Sequence, residues 1–520
     1  MAGEMAAGRQ QPGPAAQQFL NALQLTPDPK LAARATALAL HANDDALALQ
    51  TARKWLQLDP DSGNAREVIV RLAVRLQKPE LALQQCREII NAHPGHEARS
   101  YGLIAQLLEQ ESAHADQATA VMDQLLADGP DFAPAHAAAA LLALHFDQTS
   151  RAEREARKAL QLAPDAKDAS LLLVATLIRQ HRLDDADAVM QGLYRGDTQA
   201  QALRLGYAQM LLQAHEPAHA RTQLQQILSA HPGDGDARLL LTLVDLHDNQ
   251  LDSAERELHK ISGGDKSRRA AVQYYLGRIA EARHQSEAAI EHYARVSSGN
   301  QLVDAAIRRA VLLGELGRLD QAQELLQQMA SDHPQLEDRF IIVYSQILVD
   351  AEQAEHAADL LNRALQAQPD NANLLYSRAL VYDHLHRTKQ AEADLRAVLA
   401  QIPDDPRTLN ALGYMLTERN PDQLDEARSM IARALKQTPD DPAVIDSMGW
   451  VLYRQGHADQ ALPLLRKAYT LLPDPEIAAH LVTVLNALGD TAQAQQVLAK
   501  ALKDNPGNPA LLKVADPLKR

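Results

Sequence analysis

The sequence predicts an all-α solenoid, a right-handed superhelical stack of about fifteen helical hairpins. Three observations predict it: the amino-acid composition, prolines that recur with a period of 34 residues, and small residues that recur with the same period. A chain of 520 residues is too long for one compact core, so it contains either several domains or a repeat array. The regular spacing of the prolines and alanines favours the array.

The composition favours helices and excludes several classes of protein. Hydrophobic residues make up 46% of the chain but aromatic residues only 3%, which favours helices packed through small side chains over strands. The net charge of −15 argues against a nucleic-acid-binding surface. Cys86 is the single cysteine, which excludes an internal disulfide and a thiolate metal cage. No apolar run reaches the roughly 18–20 residues that a membrane-spanning helix needs.

Prolines mark the boundaries of the repeats. From Pro27 to Pro506, twelve prolines follow one another at separations of 33 to 36 residues, or of 68 and 102 residues, which are two and three periods. Because proline cannot continue a helix, each one separates one hairpin from the next. Glycine turns at 194–197 and 262–265 replace the prolines missing from the middle of the chain. A period of 34 residues is that of the tetratricopeptide repeat (TPR).

Alanine forms a second register, twelve residues before each boundary. The fifteen alanines of this register are Ala15, Ala48, Ala82, Ala118, Ala152, Ala186, Ala220, Ala254, Ala289, Ala322, Ala357, Ala391, Ala427, Ala461 and Ala494. A further small residue often follows seven positions later, on the same face of the second helix. We therefore expect these methyl groups to lie where the two helices of a hairpin touch.

The helix starts agree with this register. An aspartate before a proline caps a helix whose first residue is the proline. The pairs with this pattern are Asp28-Pro29, Asp405-Pro406, Asp441-Pro442 and Asp474-Pro475. The hairpin at 406–439 carries a two-residue insertion, which we expect to lengthen the turn between its two helices without breaking the array.

The repeats divide the chain into five segments. These are a truncated first hairpin at 1–27, an N-terminal array at 28–232, divergent central repeats at 233–333, a C-terminal array of well-formed repeats at 334–506, and the remnant of a cap at 507–520. The register places Gly3 at the small position of a first helix, so Met1 falls inside that helix. We expect this helix to lack its first residues, because the chain was trimmed or a late start codon was read. A frayed first helix is the alternative.

The sequence predicts no enzyme, no metal site and no cofactor. The sequence contains no H-E-x-x-H zinc motif, no phosphate-binding G-x-x-x-x-G-K-[ST] loop and no G-x-S-x-G nucleophile elbow. Cys86 lies between the core positions Ala82 and Ile89, so we expect it to be a buried small hydrophobe.

Binding is expected on the first helices of the hairpins, which line the concave face of a TPR stack. The residues that the register directs to this face are Asn373, Tyr376, Arg407, Asn410, Tyr414, Asp446, Trp450, Tyr453, Arg454 and Asn486. Asparagine can bond to a partner's backbone, and Trp, Tyr and Arg are common binding anchors. The set contains no lysine, which disfavours a clamp for a C-terminal carboxylate. Ordinary solvated groove residues are the alternative interpretation.

The C-terminal repeats resemble a more specific family. The phrases "LNALGY", "DSMGWVLYR" and "PDPEIAAHL" resemble those of large TPR lipoproteins of Gram-negative bacteria, the LbcA-like adaptors. Near the other end, "DDALALQTARKWLQLDPDS" resembles the first repeats of the same family. The resemblance covers both ends of the chain, whereas the middle is divergent.

The resemblance implies a function as well as a fold. It implies an adaptor that brings cell-wall hydrolases to a periplasmic carboxyl-terminal processing protease. It also implies a protein anchored to the outer membrane through a lipid on a segment before Met1. Two other classes of function stay open: a scaffold for another envelope machine, for polysaccharide export or a pilus, and an enzyme whose site the motifs do not show. A cytoplasmic scaffold is the alternative location.

Overall fold

The computed structural model describes residues 12–194, 200–261 and 263–518. Over these residues the chain forms thirty α-helices, three short 3-10 helices and no strand. The predicted all-α TPR solenoid is therefore confirmed. The chain divides into two compact units, residues 1–262 and 263–520, called here the first and the second unit. Gly3 and parts of the two central glycine turns, residues 195–197 and Ser262, lie outside the described residues.

The first unit contains one leading helix and seven hairpins. Even-numbered helices are the first helices of hairpins, and odd-numbered helices are the second. The bounds are α1 Pro12–Ala22, α2 Pro29–His41, α3 Asp45–Leu58, α4 Gly63–Arg75, α5 Pro79–Asn91, α6 Glu97–Glu109, α7 Ala115–Asp128, α8 Ala133–His145, α9 Thr149–Leu162, α10 Lys167–Arg179, α11 Leu183–Tyr194, α12 Ala200–Gln213, α13 Pro217–Ala230, α14 Gly235–His247 and α15 Leu251–His259.

The second unit contains seven more hairpins and a last helix. The bounds are α16 Lys266–Ala282, α17 Ser286–Ala294, α18 Leu302–Glu315, α19 Leu319–Asp332, α20 Glu337–Asp350, α21 Ala354–Ala367, α22 Ala372–His384, α23 Thr388–Gln401, α24 Pro406–Arg419, α25 Leu424–Gln437, α26 Pro442–Arg454, α27 Ala458–Leu471, α28 Pro475–Ala487, α29 Thr491–Asp504 and α30 Pro509–Leu518. The insertion predicted in the hairpin α24/α25 forms the 3-10 helix Pro421–Gln423 between its two helices.

The alanine register forms the contact between the helices of each hairpin, as predicted. All fifteen alanines of the register are 0% exposed. A methyl group at this position fills the space without holding the two helices apart, so their backbones approach closely. Cys86 is also 0% exposed, and burial raises the pKa of its thiol to about 12. The predicted role of Cys86 as a small buried hydrophobe is confirmed.

The aspartate caps are also confirmed. Asp28, Asp405, Asp441 and Asp474 each accept a hydrogen bond from a backbone N–H of the first helical turn, at 2.7–3.0 Å. A proline is the first residue of each of these helices. The proline needs no hydrogen bond at this position, so the cap and the proline together set where each helix starts.

Twelve of the fourteen turns inside the hairpins contain a residue in the left-handed region. Gly317, Gly456 and Gly489 take it with φ of 72°, 87° and 82°. Nine other turns use a non-glycine residue with φ between 53° and 60°; one of these is Glu352 between α20 and α21. A side chain is strained in this region because its Cβ approaches the following carbonyl oxygen.

We expect Glu352→Gly to stabilise the second unit by about 1 kcal/mol, because glycine adopts this conformation without strain. Thermal unfolding followed by far-UV circular dichroism measures the change. Glu352→Ala is the matched control, since it removes the carboxylate but keeps the strained Cβ. An equal gain in both variants would assign the effect to the lost charge rather than to the backbone.

Candidate protein-binding surface

Most consecutive first helices of the second unit pack against each other and form a shared face, called here the first-helix face. Consecutive first helices contact each other, α18 with α20, α20 with α22, α24 with α26, and α26 with α28. Consecutive second helices in the described part of this unit make few contacts or none. The first helices are therefore closer together, as expected for the inner face of a TPR stack. All ten predicted binding residues lie on α22, α24, α26 and α28.

Trp450 is the centre of an aromatic cluster on this face. Its ring stacks on His480 of α28, with ring centroids 4.0 Å apart and planes 16° apart. Tyr453 stacks against Trp450 at 5.2 Å, and Tyr414 of α24 lies 6.1 Å from His480. Aromatic pairs at these separations stabilise each other beyond simple burial. The structure thus brings three of the predicted residues together around a histidine that was not predicted.

Charged side chains tie the cluster to the neighbouring hairpins. Glu418 of α24 accepts hydrogen bonds from Trp450 Nε1 at 2.6 Å and from Arg454 at 3.0 Å. Tyr414 donates its hydroxyl hydrogen to Glu476 of α28 at 2.5 Å. Burial and the nearby Glu476 carboxylate raise the pKa of Tyr414. Both Trp450 and Arg454 are therefore already engaged within the protein, and the cluster is a preformed surface.

A buried hydrogen-bonded pair, His480 and Asp446, lies beneath the cluster. Nδ1 of His480 donates a hydrogen bond to Oδ2 of Asp446 at 2.9 Å. The two residues are only 7% and 5% exposed, so Asp446 is not open on the surface where its register placed it. The other carboxylate oxygen, Oδ1, is buried and has no hydrogen-bond partner among the described residues. The pair holds the His480 ring in the plane on which Trp450 stacks.

A groove lies between α20, α22 and α24. Its volume is about 400 Å³. The guanidinium carbon of Arg407 lies 5.4 Å from the centre of the Tyr376 ring, a cation–π distance. Burial raises the pKa of Tyr376, whereas Arg407 and Asn373 are exposed at the groove. The structure therefore brings Asn373, Tyr376 and Arg407 together, apart from the aromatic cluster.

The two remaining predicted residues belong to neither group. Asn410 lies one turn after Arg407 on α24, and its side-chain oxygen is buried without a hydrogen-bond partner in the described part of the chain. Asn486 is exposed near the end of α28. The roles of all ten residues in binding stay predictions.

Neither a metal centre nor a membrane helix is found in the described residues. Within 12–194, 200–261 and 263–518, no three His, Cys, Asp or Glu side chains are grouped so that they could hold a metal ion. Over the same ranges, no helix has both the length and the apolar character that crossing a membrane requires.

Comparison with known proteins identifies the repeat. Models of the tetratricopeptide repeat match three segments of the second unit, residues 304–335, 345–406 and 452–515. The chain therefore contains tetratricopeptide repeats. TPR arrays are protein-interaction scaffolds that present extended surfaces to their partners.

Two curated relatives and several solved structures are similar to this TPR protein. It is 33% identical over 211 residues to the TPR repeat-containing protein PA4667 of Pseudomonas aeruginosa, covering 41% of this chain and 36% of the relative. It is 24% identical over 446 residues to cellulose synthase operon protein C of Pseudomonas fluorescens, covering 80% and 32%. The chain thus spans about a third of the length of these relatives.

Among solved structures, a thermophilic TPR protein of Thermus thermophilus is 24% identical with a TM-score of 0.33, covering 35% of this TPR protein and 100% of that chain. A tetratricopeptide repeat protein of Parabacteroides merdae is 14% identical with a TM-score of 0.38, covering 48% and 99%.

Sequence reasoning missed His480, which organises the cluster of this TPR protein. A signal was present, because Asp446 and His480 are separated by 34 residues, one repeat period. Residues one period apart on first helices face each other across neighbouring hairpins. An acidic residue and a histidine at that separation therefore indicate a pair between hairpins.

Proposed function

We propose that this TPR protein is a non-catalytic adaptor that brings protein substrates, cell-wall hydrolases, to a periplasmic carboxyl-terminal processing protease. One observation carries the proposal. The three family-like phrases contain Tyr414, Trp450 and His480, and these residues form one cluster on the first-helix face. The residues that give the resemblance are thus the residues that build a surface. The periplasm, with attachment to the outer membrane, is part of the same proposal.

Tethering explains how such a protein acts without a catalytic site. Two proteins held on one scaffold meet at an effective concentration set by the spacing of their sites, which reaches the millimolar range for short separations. A protease that meets its substrate rarely in solution then meets it at nearly every encounter with the scaffold. The adaptor changes which proteins are cleaved, while the protease supplies the chemistry.

A second function is favoured by one of the relatives. The match to cellulose synthase operon protein C covers 80% of this chain, more than the match to PA4667 does. The alternative is therefore a scaffold for another envelope machine, such as one that exports a polysaccharide. Both functions use the repeats to hold protein partners, so identifying the partners decides between them.

The experiment is a pull-down from the envelope extract of a Gram-negative bacterium, with the full chain as bait and mass spectrometry as readout. Recovery of a carboxyl-terminal processing protease together with peptidoglycan hydrolases supports the adaptor. Recovery of polysaccharide-export or pilus components without the protease supports the second function and contradicts the first.

We expect the double variant Trp450→Ala, Arg454→Ala to bind its partner at least about tenfold more weakly, because anchors of this type carry much of an interface's energy. Its helical content should stay that of the wild type. Titration of the recovered partner by surface plasmon resonance measures the loss.

The matched control for this variant is Arg466→Ala with Tyr469→Ala, on the second helix α27 of the same hairpin. It removes an arginine and an aromatic ring from outside the first-helix face and should bind normally. Wild-type affinity in the Trp450 variant, or equal losses in both variants, would contradict the predicted surface.

A further inference from the structure

We infer that the groove between α20, α22 and α24 binds an extended peptide segment in which an aliphatic side chain lies next to a side-chain carboxylate. The inference rests on the proposed function, since it states which feature of a protein partner the first-helix face recognises. Three properties of the groove carry it: an apolar floor, an exposed arginine whose ion pair with Asp405 is long, at 3.7 Å, and polar groups at the edge.

The floor of the groove is aliphatic and partly open. Ile342 and Val349 of α20 and Leu380 and Val381 of α22 line it. Leu380 is 46% exposed, although it lies at the position that aromatic Tyr414 and Trp450 occupy in the next two hairpins. A volume of about 400 Å³ is at the lower end of the range for ligand sites, roughly 300–1,000 Å³. It suits one aliphatic side chain with its adjoining backbone and is too small for a folded element.

The charge at the groove is opposite to that of the whole chain. The lining residues include the cationic Arg407 and neither an aspartate nor a glutamate, in a protein with a net charge of −15. A groove of this kind binds an acidic segment of a partner in preference to a basic one.

Arg407 differs from the arginines around it. Its side chain is 64% exposed, and its ion pair with Asp405 has a length of 3.7 Å. Asp405 is already the N-cap of α24 and accepts a hydrogen bond from the backbone N–H of Thr408 at 3.0 Å. By contrast, Arg378 and Arg387 in the preceding hairpin and Arg419 at the end of the same helix make ion pairs of 2.7–2.8 Å. The Arg407 guanidinium, held over the Tyr376 ring, can therefore take a partner's carboxylate through two parallel hydrogen bonds.

Polar groups at the edge favour an extended backbone as the occupant. Asn373 and Ser377 of α22 lie at the groove. An amide side chain can donate to a backbone C=O and accept from a backbone N–H, and a hydroxyl group can do either. An extended segment presents such groups free, whereas a helix has already paired them.

The test is a fluorescence-anisotropy titration of the full chain with a labelled peptide, Gly-Ser-Leu-Glu-Val-Glu-Ser-Gly, amidated at its C-terminus and titrated up to about 1 mM protein sites. The amide ensures that side-chain carboxylates alone are measured. We expect saturable binding, at least about tenfold weaker binding when both glutamates are replaced by glutamine, and a similar loss when Leu and Val are replaced by serine.

Charge reversal locates the contact. Arg407→Glu should abolish binding of the acidic peptide and should bind the version in which lysine replaces glutamate. Arg433→Glu on α25 is the matched control: it reverses an arginine whose ion pair with Asp404 is 2.7 Å long, away from the groove, and should bind as the wild type does. Far-UV circular dichroism checks that both variants fold.

The inference is overturned by equal binding of the acidic and glutamine peptides, by undiminished binding in Arg407→Glu, or by no saturable binding. Its failure is distinct from failure of the proposed function. Equal recovery of the protease by the wild type and by Arg407→Glu would support the adaptor role and contradict peptide binding at the groove. Acid-selective peptide binding with no envelope partner recovered would support the groove and count against the adaptor.

Discussion

Replacing His480 with alanine is expected to lower the free energy of unfolding of the second unit by about 3 kcal/mol. Among the described residues, His480 is the one hydrogen-bond donor to the buried carboxylate of Asp446. The variant leaves this carboxylate buried and unpaired, and it removes the ring stacked on Trp450. Urea unfolding followed by Trp450 fluorescence measures the loss. Because the chain has two tryptophans, the experiment is made in a Trp55→Phe background.

Two further variants give this prediction its control. Thr483→Ala on the same helix removes a hydroxyl group that bonds to the backbone of its own helix, and should change stability little. Asp446→Asn combined with His480→Ala should recover part of the loss, because a neutral amide costs less to bury unpaired than a carboxylate does. Unfolding of His480→Ala at the wild-type urea concentration would show that the pair does not stabilise the unit.

A valine at Gly413 is expected to destabilise the second unit by about 2 kcal/mol, through overpacking. An added Cβ at Gly413 would lie 2.6 Å from Cγ1 of Ile431 and 3.0 Å from the backbone oxygen of Ala427. Both residues are 0% exposed, so neither can move away without disturbing the contact between α24 and α25. Urea unfolding monitored by far-UV circular dichroism measures the effect.

The matched substitution is Gly102→Val on α6, where an added Cβ would have no neighbour within 4 Å. Valine is a better helix former than glycine, so this variant should be neutral or slightly stabilising. Equal destabilisation at both positions would mean that the cost arises from valine in a helix, and not from the close contact with Ile431.

The repeating part of the fold follows from the sequence because each repeat meets the same surroundings. Ala461 has the same environment as fourteen other alanines, so one pattern predicts fifteen buried methyl groups. The caps are equally local, since Asp441 bonds to residues two and three positions later. Interactions of this kind depend on the spacing of residues along the chain, so they can be predicted directly from the sequence.

The binding surface follows only in part, because its contacts join different hairpins. The register directs Trp450 and Tyr414 to the correct helices, but it does not reveal that Tyr414 bonds to Glu476, 62 residues away. It also directs Asp446 to the surface, whereas the structure buries it against His480. Rotamers and the angle between hairpins decide which side chains reach the surface and which are buried beneath it. The groove beside Leu380 depends on the same angle.

The uniform burial of the fifteen alanines has a consequence for how such genes change in length. Each hairpin presents its neighbours with nearly the same contact, so gain or loss of one whole period by recombination restores a matching junction. The Asp446–His480 pair is one of several exceptions, because it joins two particular hairpins, as Asp245 and Arg221 also do. A hairpin inserted between α26 and α28 would separate the pair and leave a buried charge. Gain of a hairpin is therefore penalised at the junction beneath Trp450.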